Sequence, residues 1–186
     1  MKLVFTLLAL GLAASAQADC QADLARHRQA DMSLSYEQFD QTEDRGFRAL
    51  AKAGCYAEAE QLIVQYMQAN PRGQQSLRWH AAQMAASAGH YAQAAAHAHR
   101  MLAEAKAADD SPLMWNDYVL ASIAFFERDK AGLQRHRDVI ARKGQGFWGN
   151  RMNLNLLDTM LEHFDLGYAE IGEKAAAAWD AKPAAE

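Results

Sequence analysis

The chain is poor in the residues that break helices, build strands or cross-link. Three prolines and two cysteines occur among 186 residues, and β-branched residues are scarce while alanine is abundant. That balance argues against a sheet and for helix throughout. A basic surplus is missing as well: 19 Lys and Arg stand against 23 Asp and Glu, for a net charge of -4. A general nucleic-acid binder carries a basic excess or stripe, so the composition argues against that class. No apolar run reaches the roughly 20 residues that a bilayer span needs. Also missing are a phosphate-binding glycine loop, a zinc motif and a nucleophile elbow.

What is present starts with Lys2, an apolar run from Leu3 to Ala14, then Ser15 and Ala16-Gln17-Ala18. This is the layout of a secretory signal peptide, residues 1–18, cleaved after Ala18 to leave a periplasmic or secreted chain. A single domain spanning 19–186 is expected, large enough to bury a core without a staple. Cys20 stands close behind the signal, but Gln17-Ala18-Asp19 makes a poor lipoprotein box because an acid replaces the expected small residue. In an oxidising compartment two cysteines favour pairing, so a Cys20–Cys55 disulfide is expected, tying the N-terminal segment to the first helix pair. A redox couple would need closer spacing.

Hydrophobic periodicity then marks the helices. Ala59, Leu62, Ile63, Tyr66 and Met67 form one buried face from Tyr56 onward, ended by Asn70-Pro71. Further helices are expected from about Gln74 to Ala88, Tyr91 to about Ala107, from Ser111-Pro112, Lys130 to about Lys143, Asn150 to His163 and Tyr168 to Trp179. The Tyr91 helix buries Ala94, Ala95, Ala98, Met101, Leu102 and Ala105. The helix after Ser111-Pro112 is apolar almost all round, which places it centrally. Phe147-Trp148, between glycines, reads as a plug under the terminal helix, because large aromatics usually bury, with an exposed aromatic lip on a loop as the alternative.

The most specific feature is internal: Ala53-Gly54-Cys55-Tyr56-Ala57-Glu58-Ala59 recurs as Ala88-Gly89-His90-Tyr91-Ala92-Gln93-Ala94, shifted by 35 residues. Glycine lets the chain reverse, tyrosine packs the hairpin and small alanines let two helices approach. With Gly54, Tyr56, Ala59 and Pro71 at matching spacing, the chain resembles the tetratricopeptide repeat family. The second copy keeps Gly89, Tyr91 and Ala94 but has Lys106 in place of the proline. A third copy at Phe126–Leu133 lacks the glycine-tyrosine turn, and a fourth at Gly167-Tyr168-Ala169-Glu170 recovers it before Pro183. The resemblance covers about Thr42 to Pro183 and leaves Asp19–Asp40 outside.

It implies an all-α fold, a right-handed superhelix of tandem antiparallel helix pairs forming an α-solenoid. The first helix of each pair would line a concave face that binds a protein or peptide. Carried over position by position, that face holds Arg48, Trp79, Gln83, Trp115, Tyr118 and Ser122. Tryptophan, tyrosine and arginine dominate binding hot spots, although the same aromatics also serve as core. The expected function is an interaction module for a partner in the cell envelope, with an inhibitor or immunity protein acting on a toxin or envelope hydrolase as the alternative.

Catalysis and metal binding are not expected, and no cofactor is implied. His97 and His99 lie two apart on a helix and do not share a face, so with His90 they read as a solvated surface. Glu162-His163 with Asp165 offers acid–base groups, but a hydrolase needs a burial-shifted acid and a second carboxylate across a cleft. Glu127-Arg128-Asp129 reads as a charged turn and helix cap.

Overall fold

The structure is a computed structural model that describes residues 9–71, 75–104, 111–144 and 146–181. It is all-α, with helices α1 (Ala9–Asp31), α2 (Tyr36–Gln41), α3 (Gly46–Lys52), α4 (Tyr56–Ala69), α5 (Gln75–Ser87), α6 (Tyr91–Glu104), α7 (Trp115–Phe126), α8 (Lys130–Lys143), α9 (Trp148–Glu162) and α10 (Tyr168–Asp180). Among the described residues there is no strand, and no helix is long and apolar enough to cross a membrane. Two compact units are parted after Leu77, in the first turn of α5.

In the first unit, α3 and α4 form the hairpin expected around Gly54, and the whole predicted face of α4 is buried. The segment outside the repeat supplies α1 and α2, both packed on this hairpin. Phe39 from α2 stacks on Tyr66 of α4 at 3.8 Å between ring centroids. Ser35 starts α2 with a reciprocal capping box to Gln38. Asp31, at the end of α1, accepts the Gly46 backbone N–H at 3.0 Å and contacts His27 Nδ1 at 2.6 Å. Cys20 of α1 is bonded to Cys55 at the start of α4, with 5.4 Å between their Cα atoms. The expected staple is therefore in place, joining the N-terminal helix to the first hairpin.

The second unit is built around α7, whose residues Tyr118, Val119, Ala121, Ser122, Ile123, Ala124, Phe125 and Phe126 are buried. It packs against α6, α8 and α9, the central position its apolar character predicts. Alanines 82, 85 and 86 of α5 and 94, 95 and 98 of α6 enter the same core, as small residues at a close helix approach should. Ala105, the last of the predicted α6 stripe, lies outside the described residues.

Two boundaries differ from expectation. Helix α7 starts at Trp115 instead of at Ser111-Pro112, because Asn150 Oδ1 accepts the Met114 N–H and its Nδ2 donates to the Pro112 carbonyl. Those bonds hold residues 112–114 out of helical geometry. Phe147 and Trp148 are also exposed, at 37% and 58%, so they are not a plug.

Three hairpin turns share one backbone solution. After α3, the Gly54 N–H reaches Ala51 O and the Cys55 N–H reaches Leu50 O; after α5, Gly89 bonds Ala86 and His90 bonds Ala85. After α7 the same pair runs from Arg128 to Phe125 and from Asp129 to Ala124. Each is a Schellman closure needing a left-handed residue, supplied by Gly54 at φ 78°, Gly89 at 79° and Arg128 at 62°. The third copy thus keeps the turn geometry while losing the glycine.

Candidate partner-binding groove

Of the six positions, Arg48 belongs to the first unit and Trp79, Gln83, Trp115, Tyr118 and Ser122 to the second. Arg48 lies with its guanidinium 5.1 Å from the Phe47 ring centroid and donates through Nε to the Asp40 carbonyl. It is half-buried and held between Phe47 of its own helix and the Asp40 carbonyl of α2.

In the second unit the structure brings the aromatics together. Trp79 of α5 meets Trp115 and Tyr118 of α7 at centroid distances of 5.5 and 5.4 Å, and Trp115 lies 5.5 Å from Tyr118. Edge-to-face packing of this kind adds to the area the rings bury. Trp79 and Tyr118 are each 4% exposed and Ser122 is fully buried, so these three form the wall's interior. Trp115 and Gln83 are half-buried and carry the side-chain surface that remains.

Behind the rings lies a polar network that the repeat pattern did not predict. Tyr168, which starts α10, takes a hydrogen bond from Gln83 Nε2 at 3.5 Å, and its hydroxyl also pairs with that of Tyr118. Its backbone N–H donates to the Tyr91 hydroxyl at 3.2 Å. Burial pushes the Tyr118 phenol well above its ordinary value of 10.0, reinforced by neighbouring Tyr168. Burial likewise raises Tyr168, opposed by the hydrogen bonds from Gln83 and Tyr118. Ser122 Oγ donates back to the Tyr118 carbonyl at 2.9 Å and so stays within its helix. The signal for Tyr168 was its place in the fourth turn, where it stands as Tyr56 and Tyr91 do in theirs.

Chemically, the cluster is a rigid aromatic wall with neutral phenols, not a poised acid–base pair. Elsewhere, the Glu162 side chain is 76% exposed and the Asp165 side chain 99% exposed, the latter 3.3 Å from Arg128. His99 is exposed and pairs with Glu127 at 3.0 Å, but His97 is buried and so is not part of a solvated surface: two residues apart on α6, the two histidines take different faces, and that of His97 is the packed one. Among the described residues no three His, Cys, Asp or Glu side chains are placed to hold a metal ion. The first unit also holds an unpredicted open cavity of about 350 Å³, lined by Leu34, Tyr36, Tyr66, Asn70 and Pro71 among others.

No family model, curated protein or solved structure matches the chain.

Proposed function

We propose that the chain is an exported interaction module of tetratricopeptide type, holding a protein or peptide of the cell envelope without catalysing a reaction on it. What supports the reading is the recurrence of one Schellman turn, at Gly54, Gly89 and Arg128, between the two helices of three successive pairs. Stacked helix pairs with identical reversals make extended surfaces whose exposed side chains can vary freely, which suits recognition. The Cys20–Cys55 bond fits an oxidising compartment and occupies the sulfur that lipid attachment to Cys20 would require.

In this reading Trp115 and Gln83 make the partner contacts in the second unit and Arg48 makes one in the first. Trp79 and Tyr118 act from behind, holding Trp115 in place. The test is capture of envelope proteins on immobilised protein, read by mass spectrometry, for the wild type and for Trp115→Ala, Gln83→Ala and Arg48→Ala. A dominant partner should be retained by the wild type and lost about tenfold or more with Trp115→Ala, as for a buried aromatic anchor, at unchanged helicity. Undiminished capture by all three variants would overturn the assignment.

A further inference from the structure

Trp148 is the most exposed of the large apolar side chains described, at 58%, with Met152 at 40% and Phe147 at 37% beside it. On α9, Trp148, Arg151 and Met152 fall at i, i+3 and i+4, so a single outward face carries all three. Farther along that face Asn155 and Thr159 are buried, because α10 covers them and Asn155 Nδ2 donates to the Ala175 carbonyl at 2.7 Å. Only the first turn of the face is open. By the same register, α10 running back along α9 places half-buried Trp179 at the level of Met152.

The base of this patch is fixed. Asn150, fully buried, donates to the Gly144 and Pro112 carbonyls at 3.0 and 2.9 Å and accepts the Met114 N–H at 2.8 Å. That pins the last turn of α8, with exposed Arg142 and Lys143, to the start of α9. From Val139 to Leu157 the chain carries Arg142, Lys143 and Arg151 and no acid, in a protein of net charge -4. Asp180, following Trp179, is an acid at the far edge.

We propose that this end of the second unit docks on an anionic lipid bilayer surface. Trp148 and Met152 enter the headgroup boundary, and Arg142, Lys143 and Arg151 face the lipid phosphates. An acidic peptide would call for a concave site with inward donors, whereas these apolar side chains project from a loop and a helix start. Tryptophan favours the membrane–water boundary, and each cation near an anionic surface multiplies binding roughly fivefold. Two inserted side chains and three cations give weak, reversible attachment, in contrast to a spanning helix. None of these residues belongs to the partner wall, so the two readings fail separately.

The experiment is co-sedimentation of the protein, disulfide intact, with vesicles of phosphatidylglycerol and phosphatidylethanolamine, and in parallel with phosphatidylcholine alone. Retention is expected on the anionic vesicles only, decreasing with salt, together with a blue shift of tryptophan emission that Trp148→Phe removes. Arg142→Glu with Lys143→Glu, and separately Trp148→Ala with Met152→Ala, should each weaken retention roughly tenfold or more at unchanged helicity. Because these side chains are exposed, such variants keep the core. Three results overturn the proposal: no retention, equal retention of wild type and variants (which share one N-terminus), or binding to soluble polyglutamate with none to vesicles.

Discussion

Tyr118 and Tyr168 show what a single buried hydroxyl contributes. Both phenols are neutral when protonated, and burial raises both above 10.0. At higher pH the unfolded chain releases protons that the folded chain retains, so folding loses ground. The stability tied to these two groups is fully present below about pH 10 and falls as the pH rises beyond it. Ultraviolet titration followed beside circular dichroism should show Tyr118 and Tyr168, and with them buried Tyr66, ionising only as helicity is lost while the remaining tyrosines of the six ionise earlier. Tyr118→Phe should remove one of those late phenols and cost about 1 kcal/mol, the net value of an ordinary internal hydrogen bond. If every tyrosine ionised at its ordinary pH with helicity intact, the network would be open to water. Periodicity placed Tyr118 on an apolar helix but could not separate groove from core. That choice depends on Tyr168, 50 residues later in the chain, a distance over which periodicity within one helix carries no information.

At the scale of helices and turns, glycine was the readable signal and its replacement the unreadable one. Gly54 and Gly89 announced their reversals, while Arg128 adopts the same left-handed turn at φ 62° without any glycine to mark it. The helix α8 that follows was legible by another route, since Asp129 caps it by accepting the Gly132 N–H at 2.8 Å. What decided the start of α7 was Asn150, a residue of α9, so Ser111-Pro112 misled for want of a tertiary partner. The turns also differ in what a methyl group would meet. A Cβ at Gly54 or Gly89 has open space, so Gly54→Ala and Gly89→Ala should cost only the left-handed strain, about 1–2 kcal/mol. At Gly46, φ is 54° and a Cβ would run into the Phe39 carbonyl, so Gly46→Ala should cost about 3 kcal/mol or more. Urea denaturation of the three variants measures this order. Equal losses would mean that the α2–α3 junction yields without strain.

At the scale of the whole chain, cross-linking and aromatic reporting fall in different units. Cys20 and Cys55 both precede Leu77, while Trp79, Trp115, Trp148 and Trp179 all follow it. Neither fact required a structure, but their separation acquires meaning only once the boundary is known, and no shift in composition marks that boundary because it falls inside α5. The disulfide spans 35 residues, and closing such a loop stabilises the folded state by about 4 kcal/mol in the chain-entropy model. For a small unit with a core as modest as Leu24, Phe39, Phe47, Leu50, Leu62 and Ile63, that is a large share of its stability. Reduction, or Cys20→Ser with Cys55→Ser, should therefore speed amide exchange in α1, α3 and α4 well before global unfolding. Tryptophan emission, which reports α5, α7, α9 and α10 alone, should remain native under the same conditions. Simultaneous loss of both signals on reduction would show that the second unit takes its stability from the first, and the Cys20–Cys55 bond would then guard the aromatic wall from a distance.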